Sequence, residues 1–146
     1  MIVHLPDVNV WFSLSVKSHA HHGSALDWLN STAQAESIAF NRATQQGLMR
    51  LLTTKVIMQA YGQPPLDNAG AWKLQQTWMT DDRIGHSVEP SGMDAPWKKL
   101  GAIRTASPKL WMDAYLAAFA MVGGYTLVTT DKAFKQFKGL DLVVLG

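Results

Sequence analysis

Three acids stand where a carboxylate could do chemistry. Asp7 follows a short apolar run in "MIVHLPDVNVWF", and Asp131 follows the β-branched run "YTLVTT". Asp113 lies in "KLWMDAYLAAFAMV", where Leu116, Ala117 and Ala120 at i+3, i+4 and i+7 share its helix face. An unpaired carboxylate on an apolar face is costly, so Asp113 must be paired, protonated or bound to a cation. Brought to one rim, three mutually repelling carboxylates would favour a divalent cation, and oxygen-only ligands suit Mg²⁺ or Mn²⁺. Such an ion activates water and neutralises charge developing on a phosphodiester. Each acid also has a plainer reading. Asp7 and Asp131 could each cap the helix that follows, and Asp113 could pair with Arg50 or Arg104.

The elements that must position these acids alternate. Residues 1–5 read as a strand, and Val8–Leu14 as a short helix after a turn. "KSHAHHGSALDWLN" reads as a loop entering a helix, and "ESIAFN" as a second strand. "RATQQGLMRLLTT" spaces Leu48, Leu51 and Leu52 helically, with Thr44 as the expected N-cap. "YGQPPLDNAG" is a turn-rich loop before the helix "AWKLQQTWMTDD". A short strand is expected around His86–Val88. Ser107-Pro108 predicts a helix start, and Gly123-Gly124 its stop. The strand "YTLVTT", the short helix "KAFKQF" and the strand "LDLVVL" close the chain. This order predicts a layered α/β fold with a mainly parallel sheet, whose ligands bind beyond the carboxyl ends of the strands.

Composition sets the bounds. At 146 residues and 47% hydrophobic, the chain fits one domain, 1–146, with a sizeable core. It has no cysteine, which excludes a disulfide scaffold and thiolate metal sites and suits a reducing cytoplasm. No apolar run is long enough to cross a bilayer, so no membrane role is expected, and the start lacks a signal-peptide pattern. Thirteen Lys and Arg against eleven Asp and Glu give +2, which permits nucleic acid as a partner without demanding it. Lys98, Lys99, Arg104 and Lys109 cluster, as do Lys132, Lys135 and Lys138; each group reads as a solvated face or a phosphate-binding surface. "HAHH" (His19, His21, His22) matches no zinc-site spacing and reads first as structural or exposed. The tryptophans read mostly as core, with Trp97, ahead of Lys98 and Lys99 in an expected loop, the best base-stacking candidate.

"LPDVNVW", "TQQGLMRLLT", "MDAYLAAFA" and "LVTTDKAF", in that order and spacing, resemble a PIN domain, and most of all the VapC toxins of bacterial type II toxin–antitoxin pairs. The resemblance runs from about residue 1 to 145. It implies an α/β/α sandwich and a Mg²⁺- or Mn²⁺-dependent endoribonuclease acting on transfer or ribosomal RNA. It also implies a homodimer, a bacterial cytoplasmic setting and a VapB-type antitoxin as partner. Residue by residue, it implies that Asp7, Asp113 and Asp131 are the catalytic, metal-holding acids, that Asn9 is the neighbour of the first acid, and that Thr129 is the supporting hydroxyl. At one position the chain departs from the pattern. Gln45 fills the place of an expected catalytic Glu, keeping a carbonyl oxygen and losing the charge. Candidate RNA contacts are Arg50, Trp97, Lys98, Lys99 and Arg104. The alternative is a weakened PIN module that binds RNA or antitoxin without efficient cleavage. A phosphoryl-accepting receiver domain shares an acid-rich rim but needs an acidic pair at the first strand, where only Asp7 stands.

Overall fold

The computed structural model describes residues 2–146; Met1, the first residue of the expected opening strand, lies outside them. Strand β1 (His4–Pro6) leads into helices α1 (Val8–Ser15) and α2 (His22–Ser31). Strand β2 (Ile38–Phe40) leads into α3 (Arg42–Leu52), α4 (Lys55–Ala60) and α5 (Asn68–Met79). Strand β3 (Ile84–His86) is followed by α6 (Asp94–Gly101) and α7 (Leu110–Gly123). Strand β4 (Thr126–Thr129), a 3₁₀ helix (Lys132–Gln136) and β5 (Leu142–Val144) complete the order.

The five strands form one parallel sheet in the order β3-β2-β1-β4-β5. The chain steps outward from β1 to β3, then returns through α6 and α7 to the other side of β1. The strand order therefore reverses between β1 and β4, and a crevice opens there beyond the carboxyl ends. Side chains alternate between two cores, as the pleat requires. Ile38, Phe40 and Val128 pack under α1–α4 with Val10, Trp11, Leu48 and Leu52. Leu5, Ala39 and Leu127 pack on the opposite face with Ala114, Leu116, Ala117 and Phe119 of α7. Helices thus cover both faces of the sheet, which is an α/β/α sandwich.

Several local expectations shift. Helix α3 is capped by Asn41, not Thr44: Asn41 Oδ1 accepts from the Thr44 amide at 2.8 Å, and Thr44 Oγ1 accepts from the Asn41 amide at 3.1 Å. This reciprocal pair satisfies two end groups at once, and it puts Thr44 at the third helical position. Helix α7 starts at Leu110; Ser107 and Pro108 belong to the turn before it, where the Ser107 carbonyl accepts from the Leu110 amide. Helix α5 starts inside the predicted loop, because Asp67 caps it through the Gly70 amide at 2.7 Å. The edge strand β3 spans Ile84–His86, earlier than His86–Val88. Helices α4 and α6 are too short for periodicity to reveal. Trp97 accordingly lies on α6 instead of in a loop. The stop of α7 matches: Gly124 takes φ 73° at the cap, a conformation glycine adopts without a Cβ penalty. No helix among the described residues is long and apolar enough to cross a membrane.

The histidine cluster closes the turn between α1 and α2. His22 Nδ1 donates to the Ser13 carbonyl at 2.8 Å, and His19 Nδ1 accepts from the His21 amide at 3.0 Å. The His19 ring stacks on Tyr61 with centroids 4.6 Å apart. Burial, then the neighbouring His21 and His22, push the His19 pKa down. The His19 and His22 rings, held by these contacts, are structural.

Helices α1 and α3 approach closely because position 47 has no side chain. A Cβ on Gly47 would stand 2.6 Å from Val8 Cγ2 and 3.1 Å from Cγ1. Val8 is β-branched and stiff at χ1, so it yields poorly. Gly47→Ala should therefore lower the melting temperature by a few degrees, the clash outweighing the gain in helix propensity of about 1 kcal/mol. Adding Val8→Ala should restore much of the loss. Thermal melts of the two variants check this, and an unchanged melting temperature for Gly47→Ala would refute the close-packing account.

Candidate active site

Asp7 is the first residue past β1. Its amide continues the sheet ladder by donating to the Val128 carbonyl at 2.9 Å. That bond fixes the backbone of Asp7 against β4, and the side chain turns back to cap α1, where Oδ1 accepts from the Val10 amide at 3.0 Å. Oδ2 accepts from Thr129 Oγ1 at 2.5 Å. Thr129 is wholly buried at the end of β4, and the same Oγ1 accepts from the Asp131 amide at 3.0 Å. One hydroxyl therefore ties the first acid to the loop bearing the last. Asp131 is exposed and caps the 3₁₀ helix through the Ala133 amide at 2.9 Å. Asp7 and Asp131 do cap the helices that follow them, and capping orients carboxylates whose remaining lone pairs stay free.

Asp113 sits in the first turn of α7, half-buried, with Leu116, Ala117 and Ala120 buried beneath it. It makes no ion pair; the single salt bridge among the described residues joins Arg83 to Asp81. The cation whose charge reaches Asp113 is Lys109, neither Arg50 nor Arg104. Burial, then the charge of Asp131, push its carboxyl above the usual range, against the pull of Lys109. Asp7 is pushed up to about 6, first by burial. Its hydrogen bonds to Thr129 and Val10 oppose that shift, and the charges of Asp113 and Asp131 add to it. The fold thus brings all three acids within one another's field at the crevice between β1 and β4.

The acids carry repulsion that no protein cation cancels by direct contact. Among the described residues no three His, Asp or Glu side chains stand close enough to enclose an ion by themselves. The donor set fits a hard divalent ion that keeps part of its water shell, with carboxylate oxygens filling the remaining positions. Gln45 is buried in the first half of α3, and its Oε1 accepts from Arg42 Nη1 at 2.5 Å. Its amide oxygen is therefore already engaged. Asn9 is exposed in the first turn of α1 and forms no hydrogen bond to Asp7; its carbonyl accepts from Ser13 Oγ.

A cleft of about 990 Å³ opens beside the acids: Val8, next to Asp7, and Met112, next to Asp113, line it, whereas the three acids themselves do not. Asn9, Arg42 and Arg50 line one side, and Trp97, Trp111 and Tyr115 the other. Of the expected RNA contacts, Arg50 and Trp97 reach this cleft, whereas Lys98, Lys99 and Arg104 do not line it. Trp97 is only partly free: its Nε1 donates to the Trp111 carbonyl at 3.0 Å, and its ring meets Tyr115 edge-on. Trp111, 54% exposed, is the freer ring. Sequence reading passed over Trp111 and Arg42. The signal for Arg42 was its place three residues before Gln45, on the same helix face.

The sequence profile of the PIN domain matches residues 5–140. The chain belongs to the PIN-domain family. It is 46% identical over 143 residues to Ribonuclease VapC41 of Mycobacterium tuberculosis, in strains H37Rv and CDC 1551 / Oshkosh, covering 97% of this chain and 98% of that protein. The VapC proteins are therefore its relatives within the family. Solved structures share the fold at low identity. VapC20 of Mycobacterium tuberculosis, a sarcin-ricin loop cleaving toxin, matches with a TM-score of 0.63 at 15% identity, over 94% of this chain and 97% of that one. VapBC2 of Rickettsia felis, bound to a DNA fragment from its promoter, gives 0.61 at 16%, over 99% and 100%. FitAcB of Neisseria gonorrhoeae gives 0.61 at 17%, over 99% and 97%.

Asp7 has a consequence for stability. A carboxyl whose folded pKa exceeds its unfolded one holds its proton longer in the folded chain. Its contribution is full below the unfolded value of 3.8 and is lost as pH rises through about 6. Without divalent ions, this residue should cost about 3 kcal/mol between pH 4 and 7, by the linkage of about 1.4 kcal/mol per pH unit. Asp7→Asn should flatten that fall and stabilise the metal-free protein at neutral pH. Denaturant unfolding of both proteins at pH 5 and pH 7, in chelator, checks it; an equal pH response of the two would refute it.

Proposed function

We propose that this chain is a divalent-metal-dependent endoribonuclease toxin, its activity carried by Asp7, Asp113 and Asp131 at the β1/β4 crevice. The observation that carries the reading is the convergence of these three acids, from distant parts of the chain, on one rim where none has a cation in direct contact. Membership of the PIN family, and the 46% identity to a protein named as a ribonuclease, support the same activity.

The three carboxylates would hold Mg²⁺ or Mn²⁺. When bound, the ion supplies a lowered pKa for an attacking water and neutralises charge on the phosphodiester. The protein's own part is orientation. Thr129 and the Val10 amide hold the Asp7 carboxylate in one rotamer, and the hydrogen bonds favour its ionised form. Burial of Thr129 keeps that hydroxyl from competing water. Attack by water on phosphorus, with the ribose oxygen leaving, would give 5′-phosphate and 3′-hydroxyl ends.

The Gln45 oxygen accepts from Arg42 Nη1, and the three acids come within one another's field without it. This favours the cutting reading over a module that only binds. A VapB-type antitoxin is the proposed protein partner, by analogy with the VapBC and toxin–antitoxin complexes that share the fold. A homodimer in the bacterial cytoplasm completes the reading.

Purified protein incubated with transfer or ribosomal RNA should cleave only when Mg²⁺ or Mn²⁺ is added. Asp7→Asn should lower the rate by at least about a hundredfold; an equal rate would assign the activity elsewhere. Thr129→Val keeps the shape and removes one hydrogen bond to the carboxylate, worth about 1.5–3 kcal/mol. The acid limb of its pH–rate profile should therefore move up by about one unit or more. A profile that loses rate without moving would refute the role given to Thr129.

A further inference from the structure

Arg42 opens α3 at the carboxyl end of β2, beside the strand that delivers Asp7. Its side chain is exposed and lines the cleft that also takes in Val8 and Met112, the chain neighbours of Asp7 and Asp113. Two observations describe its charge. Its Nη1 donates to Gln45 Oε1, so a neutral amide orients the guanidinium without cancelling it. Arg42 has no carboxylate within ion-pair distance, since the single salt bridge among the described residues lies elsewhere. Its field also reaches His86 at the end of β3, whose pKa falls through burial first and Arg42 second. A carboxylate at position 45 would pair with the guanidinium and quench it. Gln46 and Arg50 continue the same ridge at i+4 and i+8, which sets Arg50 about 12 Å further along the helix. Arg50 is exposed on the same cleft. The rim is therefore polarised, acids on the β1/β4 side and an uncompensated fork of donors on the β2 side.

We propose that Arg42 is a substrate-binding residue that grips an RNA phosphate next to the acid cluster, and that Gln45 is its positioning residue, holding the fork while leaving its charge free. This rests on the ribonuclease reading above and adds to it a defined phosphate contact. Planar, bidentate donors suit a phosphate, whereas a lysine would act there only as a point charge. The arrangement divides the work: the acids address the water and the reacting phosphorus, and Arg42 holds the chain beside them.

The test measures binding apart from cleavage. Asp7→Asn protein, in chelator, is titrated with a fluorescein-labelled mixed-sequence single-stranded RNA over a range of salt concentrations. Adding Arg42→Ala should weaken binding about tenfold at low salt. It should also reduce the slope of log K against log salt by about 0.7, the value for one lost phosphate contact on a single strand. Arg42→Lys should keep the slope and recover part of the affinity. Gln45→Glu should lose affinity and slope much as Arg42→Ala does, although the arginine is still present; a merely structural role for Gln45 would leave the slope alone. Melting temperatures should barely change for the Arg42 variants, since the side chain is exposed. If the Asp7→Asn protein itself fails to bind RNA, the ribonuclease reading and this one fall together. If it binds and Arg42→Ala leaves affinity and slope unchanged, the phosphate role of Arg42 alone is overturned.

Discussion

The site depends on one buried hydroxyl. Thr129 Oγ1 donates to Asp7 and accepts from the amide of Asp131, so the ends of β1 and β4 are joined through side-chain chemistry as well as through the sheet. These two strands flank the point where the strand order reverses. Their carboxyl ends must separate there, because the helices that follow leave on different paths. A hydroxyl has one proton to give and lone pairs to receive, and both are used here. Valine would fill the same space and do neither.

Holding like charges together opposes folding. Asp7 is buried, and burial dominates the rise of its pKa, with the two other acids adding to it. The fold offsets this cost only in part, through Thr129 and the Val10 amide. Arg42, at the carboxyl end of the neighbouring strand β2, forms no ion pair with the acids. The guanidinium is tied to an amide and not to an acid of the cluster. A rim with separate negative and positive parts is what the proposed reaction on an anionic backbone would use. The apolar cores on both faces keep these groups in place: Trp11, on the helix that Asp7 caps, lies flat on Phe40 of β2 with centroids 3.7 Å apart.

Much of this was legible beforehand. The alternation of short β-branched runs with helical spacing is set by local periodicity, and it described a layered α/β fold with a parallel sheet correctly. Asp113 betrayed itself because an acid on a face shared with Leu116, Ala117 and Ala120 is costly wherever the helix goes. The end of α7 at Gly124 was readable because a left-handed cap favours glycine. Other elements depended on distant partners. Asn41 displaced Thr44 as the cap of α3, since cap geometry depends on where β2 releases the chain. Helices α4 and α6 are too brief to carry a pattern and owe their existence to packing. Trp97 and Trp111 exchanged roles because α6 lies on α7 and ties the first ring down through the carbonyl of the second.

The sequence by itself determined which groups are present: three acids with apolar support, a threonine two residues before the last acid, and an amide at position 45. It did so because residue type and local spacing carry charge, hydrogen-bonding capacity and periodicity. Only the tertiary structure decided how they meet. The crossing from β3 back to β4 puts Asp131 beside Asp7, across 124 positions of chain. The capping of α3 by Asn41 sets Gln45 one turn above Arg42, its oxygen on the guanidinium and its side chain buried. Those outcomes rest on long-range packing and strand order, which no local window of sequence contains.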